Sequence, residues 1–265
     1  MSRLDGQVER YPNGIFCWID VGTTAVAGAK AFYGGLFGWE FEDQPAGDGD
    51  AYTLCRLQGR DVAGIHRHDP DEGIGWASSI AVDDLEAVTS RARELGATVL
   101  AEPFDVPGAG RTAVLRDPSG AVVSLWQPRG HAGAGLVNEV GTWTWNELVT
   151  PDLAAARAFY AELFGWGAQD IPGHFPRTSF SLGDLLVGGS HAPTPQEGAA
   201  ARWTIAFRVA DADQSAAHVQ ELGGAVLLSP MDVPAGRFAI VADPAGASFS
   251  VTAVPGGPLR GVDGS

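Results

Sequence analysis

Apolar residues recur along this chain first with the rhythm of a strand and then with that of a helix. Residues 16–21 and 143–148 form short, largely apolar runs that suit half-buried or buried strands. Each is followed by apolar positions at helical spacing: Val26, Ala29, Phe32, Tyr33 and Leu36 after the first, Leu153, Ala156, Phe159, Tyr160 and Leu163 after the second. Gly38 and Gly165 stand where those helices call for a left-handed cap. Short strands are predicted at 52–57 and 61–66, with partners at 178–182 and 185–190. The order then starts again, with a strand at 76–82 or 203–209, a helix opening after Asp83 or Asp211, a glycine stop at Gly96 or Gly223, and three more strands. The last two strands flank the turns Asp117-Pro118-Ser119-Gly120 and Asp243-Pro244-Ala245-Gly246, in which proline and glycine supply the dihedrals. Each half therefore reads βαβββ twice.

The halves are copies. Phe32-Tyr33 recurs as Phe159-Tyr160, Trp76 as Trp203, Glu94-Leu95-Gly96 as Glu221-Leu222-Gly223 and Pro103 as Pro230, at a constant offset of 127 residues. The offset becomes 126 at Asp117-Pro118 and Asp243-Pro244, because the GAGR ending at Arg111 has shortened to the AGR ending at Arg237. A match of this length with a single deletion is a duplication. It sets domains at 13–128 and 141–255, each large enough for its own core, with a glycine- and alanine-rich linker at 129–140. An internal pseudo-dimer or a homodimer is the expected arrangement.

Composition narrows the function. With 265 residues, 45% hydrophobic and 18% charged, the chain fits a soluble globular protein, and its formal net charge of −15 argues against nucleic acid or an anionic membrane surface as partner. The two cysteines, Cys17 and Cys55, have neither disulfide-framework nor zinc-site spacing. The N-terminal stretch carries charges without an apolar run, and no segment approaches 18 consecutive apolar residues, so a cytoplasmic location is expected.

The motifs carry a resemblance. A strand, a helix ending FY..LFGW, a second strand beginning W....VDDL, the ELGA after its helix and a terminal DPSGAVVSLWQ are similar to the vicinal oxygen chelate superfamily, which includes glyoxalase, bleomycin-resistance and extradiol dioxygenase proteins. Both halves share it, and the chain most resembles actinobacterial two-domain glyoxalase-like proteins of the hydroxylase and 27 kDa antigen type. The resemblance implies an α+β fold in which paired βαβββ modules form a cupped mixed sheet around a cavity. It also implies a divalent ion held by four side chains in the metal-dependent members. Through the FY anchor the first ligand position falls on Trp18 and Trp145, and through the DP.G turn the last falls on Ser124 and Ser250. The middle-strand position falls near Ala77 and Thr204, and the fourth within 64–66 and 188–190. Indole offers no lone pair to a cation and neutral hydroxyls are poor ligands, so a site without metal or other cofactor is expected.

Residues two apart in a strand share a face, which puts Asp20 beside Trp18 and Glu147 beside Trp145. An indole next to a carboxylate suits an aromatic guest bearing a hydroxyl or amine, and a carboxylate with a raised pKa could move a proton. Structural use of either acid, as acceptor for a following loop or an arginine, is the competing reading. Arg111 and Arg237 recur before the penultimate strand and could pair with Asp20 or Glu147 or bind an anionic group. Trp126, replaced by Thr252, suggests unequal cavities. His66 could reach the cavity and, with His68 and Asp20, improvise a metal site; it aligns with Ser190, so no histidine repeats, while His131, His174 and His218 read as solvated. The sequence thus points first to a metal-independent protein binding a small apolar or aromatic metabolite, for sequestration or self-resistance. A metal-independent lyase, isomerase or hydroxylase acting on a carbonyl-bearing product, with Asp20 or Glu147 as acid or base, comes second. A lyase or oxygenase with a non-standard metal site comes third.

Overall fold

The computed structural model describes residues 4–45, 51–68, 74–173, 176–194 and 198–254. The first half contains β1 (Gly6–Gln7), β2 (Phe16–Thr23), α1 (Val26–Phe37), β3 (Glu40–Pro45), β4 (Ala51–Leu57), β5 (Arg60–Arg67), β6 (Gly75–Ala81), α2 (Leu85–Glu94), β7 (Thr98–Val106), β8 (Gly110–Arg116) and β9 (Val122–Pro128). After β10 (Leu136–Val137) the second half repeats the order as β11 (Trp143–Val149), α3 (Leu153–Phe164), β12 (Gly167–Ile171), β13 (Arg177–Leu182), β14 (Leu185–His191), β15 (Arg202–Arg208), α4 (Ala212–Glu221), β16 (Ala225–Val233), β17 (Gly236–Ala242) and β18 (Ser248–Ala253). The fold is α+β. Each half is one mixed eight-stranded sheet, ordered β3-β4-β5-β2-β6-β9-β8-β7 and β12-β13-β14-β11-β15-β18-β17-β16.

Local chemistry explains the element ends. Gly38 and Gly165 close α1 and α3 with φ of 71° and 76°, the left-handed conformation that glycine takes without a Cβ clash. Asp84, Asp152 and Asp211 accept a backbone N–H three residues on and so cap α2, α3 and α4. Four strands lie beyond the sequence reading: β1, β3, β10 and β12. The edge strands β3 and β12 are polar and exposed, with little alternation to detect, and the linker contributes β10, which pairs with β1 of the N-terminal arm.

Alternation along the central strands separates two faces. On β2, Ile19 and Val21 are fully buried on the back face while Trp18 and Asp20 point to the front. The back faces of both sheets and the four helices form one continuous apolar cluster, so the two halves share a core. Helix α1 of the first half packs Phe32, Tyr33 and Phe37 on Phe249 of β18, and Phe37 also meets Phe207 of β15. Reciprocally, Phe16 of β2 lies against Trp166 and Trp203.

The residues that mark the sequence motifs hold this interface. Tyr33 Oη donates to Asp243 Oδ2 at 3.1 Å and accepts Trp76 Nε1 at 3.1 Å; in the mirror arrangement Tyr160 Oη donates to Asp117 Oδ2 at 2.8 Å and accepts Trp203 Nε1 at 2.8 Å. Each tyrosine of an FY pair thus bonds to the aspartate of the other half's DP.G turn. Burial, with the nearby carboxylate, pushes both phenols well above their ordinary range and keeps them as donors. Trp39 and Trp166 add crossing bonds to Gly141 O and Gly14 O.

Candidate functional site

Sheet register arranges the front-face residues in rows. Trp18 pairs with Ser79, which pairs with Ser124; in the second half Trp145 pairs with Ala206, which pairs with Ser250. The middle position in line with the indoles is therefore Ser79 or Ala206. Ala77 and Thr204, the middle positions that the motif alignment indicates, lie one row away, beside Asp20 and Glu147.

The next row holds the acids, and here the sequence alignment needs a larger correction. Asp20 pairs with Gly64 and Gly22 with His66, whereas Glu147 pairs with Gly189 and Val149 with His191. His191, rather than Ser190, is therefore the counterpart of His66, and a histidine does repeat. His66 Nδ1 lies 3.6 Å from Asp20 Oδ2 and His191 Nδ1 lies 3.0 Å from Glu147 Oε1. Both halves carry the same trio of indole, carboxylate and imidazole. The hairpins contain the signal that reveals it: Thr53, Leu57, Val62, Gly64 and His66 recur as Thr178, Leu182, Val187, Gly189 and His191, once the chain is allowed to be two residues shorter before the hairpin.

What holds the acid differs between the halves. Tyr52 Oη donates to Asp20 Oδ2 at 3.2 Å and receives Trp18 Nε1 at 2.7 Å, so the indole reaches the acid through a phenol. Burial foremost, and then Asp20, push the Tyr52 phenol far up, so it remains a donor. Arg177 occupies the place of Tyr52 and donates to Glu147 Oε1 from Nη2 at 3.0 Å and Nε at 3.2 Å, while Trp145 Nε1 donates directly to Oε2 at 2.6 Å. Gly189 makes this possible, since a Cβ there would stand 2.5 Å from Glu147 Oε2. Burial alone would raise the Glu147 carboxyl, but His191, Arg177 and Trp145 together outweigh it and hold it below the ordinary range. Glu147 is thus a fixed anion, which corrects the expectation of a raised pKa.

Other candidate residues fall elsewhere. Arg111 is bound to Glu86 and Asp105, and Arg237 to Asp213 and Asp232; alternation along β8 and β17 puts both on the back side, away from Asp20 and Glu147. Trp18 is only 6% exposed, with the His131 ring edge-on to it at 4.4 Å, while Trp126 Nε1 donates to His131 O. His131 is therefore packed, 3.6 Å from Asp61, and its linker segment closes that end of the first front face. His131 first and Arg56 after it hold the Asp61 carboxyl down against the effect of its burial. His218 does lie at the surface, beside Glu221, His68 meets His66 edge-on, and His174 lies outside the described residues. In the second half Trp145 and Ser250 remain half-exposed, as do Phe238 and Ile240, which pair with Thr252 and Ser250 and extend an apolar floor. A separate cavity of about 50 Å³ against Trp145, lined also by Tyr11, Val137 and Val187, is large enough for water but too small for a ring system.

The residues present do not fit the divalent ion that the fold implies. In the first half the three aligned positions are an indole already donating to a phenol and two serines; in the second they are an indole donating to Glu147, an alanine and a serine. Each acid–histidine pair supplies two ligands, and no group of three or more His, Cys, Asp or Glu is placed to hold a metal among the described residues.

Family models match both halves: a glyoxalase-like domain over residues 18–126, and the Glyoxalase/Bleomycin resistance protein/Dioxygenase superfamily over residues 140–251. The chain is 42% identical over 251 residues to "Putative glyoxylase CFP32" of Mycobacterium tuberculosis, covering 91% of this chain and 95% of that one. It is 35% identical over 262 residues to the anthracycline biosynthesis protein DnrV of Streptomyces peucetius, covering 91% and 94%. Among solved structures, the Mn(II)-bound glyoxalase of Novosphingobium aromaticivorans superposes with a TM-score of 0.65 at 18% identity over 95% of this chain and 84% of that one. The 2,2',3-trihydroxybiphenyl 1,2-dioxygenase of Sphingomonas wittichii gives 0.65 at 16% identity over 93% and 92%. At such identities the likeness is one of fold.

Proposed function

The chain belongs to the Glyoxalase/Bleomycin resistance protein/Dioxygenase superfamily, and from that premise we propose that it is a metal-independent member binding a small aromatic metabolite on the front face of its second half. The observation that carries this reading is the row of Trp145, Ala206 and Ser250, poor in groups that could bind a cation, beside an apolar floor, with Glu147 and His191 at its margin. An indole and a floor of Phe238 and Ile240 favour planar rings, and the adjoining polar cluster fixes their orientation. The likeness to a protein named for anthracycline biosynthesis supports a polycyclic guest and a place beside aromatic natural-product chemistry, as carrier or protective binder. The first half, whose Trp18 is covered by His131, serves as scaffold.

Titration calorimetry with tricyclic and tetracyclic quinones, on protein treated with chelator, tests the proposal. Saturable binding that survives chelation, is lost in Trp145→Ala and persists in Trp18→Ala is the expected result. Binding that appears only after a divalent metal is added, or that depends on Trp18 alone, overturns it.

A second reading is favoured by the paired carboxylate and imidazole. An imidazole 3.0 Å from a fixed anion is a proton acceptor of the kind used in general-base catalysis, which suits isomerisation or elimination next to a carbonyl. It predicts turnover that survives chelator and falls by roughly two orders of magnitude or more in His191→Ala.

A further inference from the structure

We infer that the second front face carries a distal apolar subsite, built on Leu228 and Met231 at the sheet edge, which selects linearly fused aromatic guests over shorter or angular ones. This rests on the aromatic-binding reading above and narrows it to a substrate class.

Register lines the subsite up with Trp145. Trp145 pairs with Ala206, Ala206 with Ser250, Ser250 with Ile240 and Ile240 with Leu228, one row over β11, β15, β18, β17 and β16. Alternation assigns this row to the front, since the neighbouring Ala239, Val241, Phe249 and Val251 are buried behind it. A second row, Thr252, Phe238 and Met231, runs alongside on the same face. Four steps between adjacent strands carry the first row over about 19 Å of sheet. Its ends are large and its middle, Ala206 and Ser250, is small. Polarity also changes along it. Glu147, which accepts from Trp145, Arg177 and His191, lies one row from the Trp145 end, whereas the far end of the two rows is Ile240, Leu228, Phe238 and Met231. An elongated ring system matches this order, with its polar substituents towards Glu147 and its hydrocarbon end on β16.

The duplicated half is the internal comparison. Its rows read Trp18, Ser79, Ser124, Val114 and Ala101, and Trp126, Thr112 and Phe104. Leu228, Ile240 and Phe238 therefore stand where the first half has Ala101, Val114 and Thr112, and the small Thr252 stands where it has Trp126. The Met231 position is bulky and apolar in both halves. The half whose indole is covered by His131 thus has the smaller, more polar far end, and the half whose indole stays half-exposed has the larger, apolar one. An apolar side chain on an edge strand is a liability unless something covers it, and Leu228 is 37% exposed. Two register shifts along β16 disfavour pairing with another strand there, which leaves a guest lying across the row as the cover these residues fit.

Quinizarin and two tetracycles derived from it, each with one further ring fused at the end away from the hydroxyls, share a polar end and differ in reach: one is linear, of naphthacene shape, the other angular, of tetraphene shape. Tryptophan-quenching titrations on chelator-treated protein are expected to show the linear tetracycle binding roughly tenfold or more tighter than quinizarin. The angular isomer, of similar apolar area, should stay within about threefold of quinizarin. Leu228→Ser and, independently, Met231→Thr should each bring the linear tetracycle to within about threefold of quinizarin and leave quinizarin unchanged. Should one variant fail to fold, judged by its thermal transition, the other and the wild-type ratio of linear to angular still decide. An angular isomer that binds as tightly as the linear one or tighter, or a linear advantage that persists in the folded variants, overturns the subsite but not aromatic binding. Failure of the wild type to bind any of the three removes the aromatic reading, and the subsite with it.

Discussion

Replacing Glu147 by glutamine keeps the shape of the side chain and removes its charge, which exposes how the second site is held. Oε1 accepts from Arg177 and from His191, and Oε2 accepts from Trp145. A glutamine has a single oxygen to accept these donors. Wherever its NH2 group is placed, it faces either the indole N–H or the arginine, donor against donor. Hydrogen bonds to a charged group contribute about 1.5–3 kcal/mol each, and the 42% exposure of Arg177 discounts its share through solvent screening. A net loss of roughly 2–4 kcal/mol is expected from these magnitudes. Asp20→Asn is the internal control: Asp20 accepts one phenol at 3.2 Å and has His66 only at 3.6 Å, so its loss should stay near 1 kcal/mol, about the net worth of an ordinary hydrogen bond. Denaturant unfolding of both variants at neutral pH reads the difference directly. Because the folded-state pKa of Glu147 is depressed, its contribution is present above the unfolded value and is lost as pH falls through the folded one. The gap between wild type and Glu147→Gln should therefore be flat above about pH 5 and close as the pH falls below roughly 4. Equal destabilisation by the two substitutions, or a gap that widens in acid, would refute the account of Glu147 as a buried anion held by three donors.

Tyr160→Phe and Asp117→Asn should each weaken the protein, and their double-mutant cycle should show a coupling of about 1–3 kcal/mol across the two halves; additive effects would deny the crossing bond its role. Unfolding should follow a single transition in fluorescence and circular dichroism, because the halves share a core, and two resolved transitions would contradict that. Arg111→Met and Arg237→Met should leave ligand affinity unchanged within about twofold, since both guanidinium groups are paired on the back side. Cys17 and Cys55 are fully buried and burial pushes both thiols up, so a thiol-disulfide reagent should label neither until the protein unfolds.

The sequence by itself determined the duplication, most of the elements, the glycine caps at Gly38 and Gly165, and the shared face of Trp18 with Asp20 and of Trp145 with Glu147. These are local properties, set by hydrophobic period, by the absence of a Cβ and by the two-residue repeat of a strand. Only the tertiary structure decided which residues meet. The copies differ in length ahead of the β4–β5 and β13–β14 hairpins, and a shift of one residue in a strand exchanges its faces, so His191 was hidden behind Ser190 until pairing fixed the register. Arg177 and Tyr52 escaped for the same reason, each joining its acid from a strand two places away in the sheet. Tyr33 and Tyr160 read as core aromatics, and nothing local tells that their hydroxyls cross to Asp243 and Asp117, 210 and 43 residues distant. Contacts of that separation depend on how the two halves pack, which no window of sequence contains.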